Sequence, residues 1–131
     1  MIGTALATAI LDDLIGTVVA SPAYLALVTV EPLSTDTGST IVETDYGGYA
    51  RLPVATGDLV AAVDGVKLNG VDMAFPQALS AGTDPIGWAV LCSAATAGDI
   101  LLTGALDSPV SVDTGNAPTF AAGALALTLV A

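Results

Sequence analysis

The spacing of apolar positions along this chain switches from a helical period to a period of two after Ser21-Pro22. Before that point Leu6, Ile10, Leu11 and Leu14 recur at helical spacing, with Ala5, Ala7 and Ala9 as strong helix formers between them. Thr4 stands where an N-cap belongs and Gly16 where a helix stops. The pattern predicts one N-terminal α-helix over residues 1–17. Its apolar stripe of Leu6, Ile10 and Leu14 is narrow, so it must pack either on the rest of the chain or on a neighbouring subunit.

Beyond Pro22 the alternation predicts short strands. Residues 23–30 carry apolar side chains on both faces, as a central strand does. Residues 33–45 are rich in Ser, Thr, Asp and Gly and read as a long loop with a short strand at 40–43. Gly47-Gly48 interrupts a strand over 46–54. Asp64-Gly65 and Asn69-Gly70 read as hairpin turns linking strands at 59–63, 66–68 and 71–75. Strands follow at 86–93 and 100–106. A turn-rich stretch over 107–116 contains a short strand at 110–112, and 123–130 closes the chain. Strands this short and this evenly spaced predict an all-β fold, a jelly-roll-like or related antiparallel β-sandwich over 23–131, preceded by the helix within a single domain.

Composition changes the picture by restricting partners. The chain has 131 residues, 53% of them hydrophobic and only 11% charged. A surface with so few charges suits a subunit that meets other subunits, and it predicts a homo-oligomer, with a trimer as one arrangement. Thirteen acids against Arg51 and Lys67 give a net charge of −11. Phosphate backbones and anionic membranes are both recognised by Lys and Arg, so nucleic acid and membrane surfaces are not expected partners. No apolar run reaches the roughly 20 residues of a transmembrane helix, and the N-terminus lacks the basic start of a secretory signal.

Candidate chemistry is sparse. The sequence has no histidine and a single cysteine, Cys92. Ser-His and Cys-His nucleophilic sites are thereby removed, together with nearly all zinc sites. Cys92 ends an apolar run from Trp88 and reads as a small core residue; the alternative is a thiol at a subunit contact. Asp36-Thr37-Gly38-Ser39 reproduces the aspartic-protease tetrapeptide, and Asp113-Thr114-Gly115 repeats its first three residues. Asp36 follows a polar loop rather than a buried strand, and too little chain remains beyond Gly115 for a protease lobe. Turn chemistry explains both. Calcium would need several oxygens gathered from Asp36, Glu43 and Asp45, or from Asp64 and Asp72, and no EF-hand spacing is present. No cofactor or metal is expected. Arg51, beside Tyr49 after a glycine pair, predicts a bidentate salt bridge to an acid, within the chain or between subunits, with a simple exposed Arg as the alternative. Trp88 and Phe75 read as core aromatics, with interface anchoring as the sharper alternative.

The order of motifs resembles a family of small virion structural proteins of tailed bacteriophages: head-decoration, minor tail and tail-fibre-like proteins. The similarity runs through Leu14-Ile15-Gly16-Thr17, Tyr24-Leu25-Ala26-Leu27-Val28-Thr29 and Gly47-Gly48-Tyr49-Ala50-Arg51. It continues through Phe75-Pro76, Trp88-Ala89-Val90, the stretch from Ala94-Ala95-Thr96 to Leu102, Gly104-Ala105-Leu106 and Phe120-Ala121-Ala122-Gly123-Ala124-Leu125. Cys92-Ser93 departs from it where an Asp commonly precedes the Ala-Ala-Thr turn, and Asp107-Ser108-Pro109 replaces a more Thr-rich turn. The resemblance implies a non-enzymatic component of the virion, assembled in the host cytoplasm. The expected role is a capsid decoration or cement protein bound to the major capsid protein, which it would clamp at subunit junctions. The alternative is a minor tail or tail-fibre-like component bound to tail proteins, in contact with the host. Leu6, Ile10, Leu14, Tyr49 and Arg51 are the expected interface residues.

Overall fold

The computed structural model describes residues 23–33, 35–55, 58–59 and 66–129. The expected helix with Leu6, Ile10 and Leu14, the Asp64-Gly65 turn and most of the strand expected over 59–63 lie outside the described residues. What is described is all-β and antiparallel. Eight strands occur among the described residues: β1 (Ala23–Val28), β2 (Leu52–Val54), β3 (Val66–Leu68), β4 (Met73–Ala74), β5 (Ile86–Cys92), β6 (Ile100–Val110), β7 (Thr119–Phe120) and β8 (Ala126–Leu129).

Six of them form one sheet in the order β2-β1-β5-β6-β8-β3, and β4 pairs with β7 as a separate ribbon. A jelly-roll-like sandwich would divide its strands more evenly. Here β4 and β7 stay two residues long because proline brackets both: Pro76 follows Phe75, and Pro118 precedes Thr119. A residue without an N–H cannot extend a ladder.

The centre of the sheet follows from the sequence pattern. Strand β1 is apolar on both faces and lies between β2 and β5, pairing Leu25 with Leu91 and Ala26 with Val90. One face holds Leu25, Leu27, Ala89, Leu91, Leu102 and Leu127 and is covered by Met73, Phe75 and Phe120 from the ribbon side. The other holds Ala26, Val28, Val90 and Cys92, packed against Ile41, Trp88 and Ile100. Phe75 is thus a core residue, while Trp88 is half-buried at the edge of the second cluster.

Strand β6 is longer than its pattern predicts. It takes in only Val110 of the strand expected over 110–112, because Ile86 pairs with Val110 while Trp88 pairs with Ala105. Residues 106–109 therefore bulge out opposite Gly87, and Pro109 is tolerated there because a bulged residue need not donate. The strand expected over 46–54 shrinks to β2. Gly48 takes a φ of 87° and Gly47 donates its N–H to Ser80 O at 3.2 Å, so this stretch is tied to the 77–80 loop instead of a ladder. The strand expected at 40–43 is reduced to a single bridge, Val28 to Glu43.

Candidate functional site

The densest polar arrangement among the described residues is built on Arg51, next to β2. Its guanidinium carries five N–H donors in a fixed fork, and all of them are used. Nε donates to Glu43 Oε1 at 2.9 Å and Nη2 to Glu43 Oε2 at 3.0 Å, a bidentate ion pair. Nη1 donates to the carbonyls of Ala94 and Ala97 at 2.9 and 2.8 Å, and Nη2 also to Gly38 O at 2.9 Å. Arg51 is only 8% exposed, and its bonds to Glu43 hold its pKa above the ordinary value despite burial. Of the two arrangements that the sequence allows, the salt bridge is the one within the chain.

Three segments meet at this guanidinium. The 36–44 loop supplies Glu43 and Gly38. The 93–99 turn supplies Ala94 and Ala97, and Arg51 itself leads into β2. The backbone is shaped for the meeting. Ala97 has a φ of 52° and Gly98 a φ of 78°, and Asp99 closes the turn by donating its N–H to Ser93 Oγ at 2.9 Å. Gly38 donates its N–H to Gly98 O at 2.9 Å, and a side chain at position 38 would run into the Ala97 carbonyl.

Tyr49 connects this cluster to the core. Its hydroxyl donates to Glu43 Oε1 at 2.7 Å and accepts from the Leu27 N–H at 3.1 Å. Its ring meets Tyr46 edge-on at 5.5 Å and stacks on Phe75 at 6.5 Å, and Phe75 meets Phe120 edge-on at 6.1 Å. Burial, and then the bond to Glu43, push the Tyr49 hydroxyl well above its ordinary pKa. Cys92 is fully buried, and loss of solvent raises its thiol to about 11. It is a core residue and remains a protonated, poorly nucleophilic thiol at neutral pH.

The Asp-Thr-Gly triplets are turns. Asp36 accepts from the Leu33 N–H at 2.8 Å and from Thr40 Oγ1 at 2.9 Å. Asp113 is exposed and its carbonyl accepts from the Asn116 N–H at 3.0 Å, with Gly115 at a φ of 88°. The calcium candidates are dispersed. Glu43 serves Arg51 and Tyr49, Asp45 accepts from the Thr83 N–H and hydroxyl at 2.7 and 2.6 Å, and Asp72 accepts from the Ala122 N–H at 3.0 Å. Asp64 lies outside the described residues. Among the described residues no group of three or more metal-ligating side chains comes together, and no helix is long and apolar enough to cross a membrane. A shallow cleft of about 170 Å³ beside the outer half of β6 is lined by Leu106, Asp107, Ser108, Val110, Phe120 and Ala124.

Sequence reasoning misses the buried amide of Asn69. Asn69 is 1% exposed; its amide donates to Val71 O and Ala121 O, both at 2.9 Å, and its Oδ1 accepts from the Leu125 N–H at 2.9 Å. It braces the 120–125 turn rather than forming the hairpin turn that Asn-Gly predicts.

Arg51 and Tyr49 spend their polar atoms on their own chain, and Cys92 is closed off in the core. That is the organisation of an all-β structural module whose polar clusters hold loops in place. The chain belongs to the family described as podophage GP4 fiber I protein gp80, whose model matches residues 1–128. It is thereby a member of a phage virion structural protein family. No curated protein matches the chain.

Proposed function

We propose that this chain is a non-enzymatic structural component of a phage fibre or of the tail region that carries it. The observation that carries the reading is the family match over residues 1–128. It favours the tail-associated alternative and lends no specific weight to capsid decoration. The interior supports a structural role: Arg51, Tyr49 and Asn69 spend their polar atoms on loop carbonyls, amides and Glu43, leaving no activated nucleophile among them. Its partners are other tail proteins, joined during assembly in the host cell.

Particle stoichiometry tests this. Quantitative mass spectrometry of purified virions, with gold-labelled antibody to locate the chain, should find a small copy number confined to the tail region. Hundreds of copies spread over the shell would restore the decoration reading.

A further inference from the structure

Both basic side chains of the sequence are buried. Arg51 is 8% exposed and Lys67 7%, and the sequence contains no other Lys or Arg and no His. Seven acids are on the outside: Glu31, Asp45, Asp72, Asp84, Asp99, Asp107 and Asp113 are all exposed. The side-chain charge that this protein shows to solvent is therefore of one sign.

A second feature lies in the loop that follows β1. Three of the five large apolar side chains exposed among the described residues are Val30 at 54%, Leu33 at 62% and Val42 at 50%. Glu31 and Asp36 stand beside them in sequence. The loop is held firmly from behind. Thr29 donates its N–H to Val42 O at 2.9 Å and Thr44 donates to Leu27 O at 2.9 Å. The carboxylate of Glu43 and the carbonyl of Gly38 are gripped by Arg51. A loop whose described residues are anchored in this way loses little conformational freedom on docking.

We propose that the 29–42 loop is a docking surface for a different protein chain, one that offers an apolar socket edged with Lys and Arg. Charge complementarity selects this occupant. A second copy would bring the same uncompensated acids, and with Arg51 and Lys67 buried it has no exposed basic side chain to set against Glu31 and Asp36. Like charges brought together at an interface oppose it, whereas a basic edge would steer the encounter and fix the register. The proposal rests on the reading of this chain as a virion component and names the chemistry of its neighbour.

The test uses the full chain and purified particles from a phage that lacks it. Fluorescently labelled protein is bound to those particles over a range of NaCl concentrations. Affinity should fall about tenfold or more between 50 and 300 mM salt, as screened charge pairs require. Glu31→Lys should weaken binding and flatten the salt dependence. The double variant Leu33→Ser, Val42→Ser should melt with the parent and bind about tenfold or more weakly, since apolar burial at a docking centre carries most of the affinity. Binding that ignores both salt and these substitutions overturns the docking surface while leaving the virion role standing. If light scattering instead finds an oligomer of this chain that tightens with salt and that the double variant dissolves, the occupant is a second copy and the proposal is wrong. Absence of the chain from wild-type particles removes the virion role itself.

Discussion

Tyr49 and Arg51 share a single oxygen: the Tyr49 hydroxyl and Arg51 Nε both donate to Oε1 of Glu43, at 2.7 and 2.9 Å. The sharing makes one carboxylate the junction between the aromatic core and the guanidinium. Removing either neighbour leaves the other with an altered partner.

Arg51→Lys should therefore be destabilising although it keeps the charge. An ammonium is not a planar fork and cannot reach Glu43 and three carbonyls together. A loss of about 2 kcal/mol is expected, and Arg51→Met should lose about 3–5 kcal/mol because Glu43 then stays without its counter-ion. Urea denaturation midpoints check both. Equal stability of the Lys variant would mean that the carbonyl bonds contribute nothing net.

Adjacent positions in the 93–99 turn should respond with opposite sign. Ala97 has a φ of 52°, where a side chain is disfavoured, so Ala97→Gly should gain about 0.5–1 kcal/mol. Gly98→Ala should lose about 1–3 kcal/mol, since its φ is 78° and the new methyl would lie 2.7 Å from Ser93 Oγ and 3.0 Å from Ala94 Cβ. Thermal midpoints of the two variants on either side of the parent would bear this out.

Asn69→Ala should cost about 1–3 kcal/mol. It strands the buried Leu125 N–H and takes a donor from the part-buried carbonyls of Val71 and Ala121, and a buried unpaired group costs about 1–3 kcal/mol. Hydrogen exchange should show the Leu125 amide losing protection first. An unchanged exchange rate there would refute the bracing role.

Stability should decline in alkali. Cys92 and Tyr49 both have folded pKa values above their ordinary ones, so the unfolded chain releases these protons first. Their contribution is complete below about pH 9 and is lost as pH climbs through the folded values, about 11 for Cys92. Denaturation midpoints measured from pH 7 to 11 should fall above 9. A thiol reagent at neutral pH should modify Cys92 only at the rate of global unfolding.

The parts of this fold that were legible in sequence are those whose signal is local. Strands β1 and β5 could be found because unbroken apolar runs of six to seven residues have few alternatives to a buried strand. The Arg51 ion pair could be foreseen because one of only two cations among thirteen acids, beside a glycine pair, has limited uses. Its other three acceptors could not, since Gly38, Ala94 and Ala97 contribute only backbone oxygens. Strand β7 and the role of Asn69 were hidden for a related reason. Two-residue strands have no period, and Asn-Gly reads as a turn until the distant Ala121 and Leu125 are brought beside it. The division into one large sheet and a ribbon depends on long-range pairing that no local pattern encodes.

Among the described residues the outer strands of the large sheet, β2 and β3, are each three residues long, and Pro53 sits in the middle of β2. A neighbour seeking to continue the sheet finds a short template there, one residue of which has no hydrogen to offer. End-to-end zippering of identical chains, the route by which open sheets grow into irreversible aggregates, has little foothold. At these two edges, contact with another protein would fall to side chains and loops rather than to a continued ladder, and side-chain contacts can be released and remade where a zippered ladder cannot.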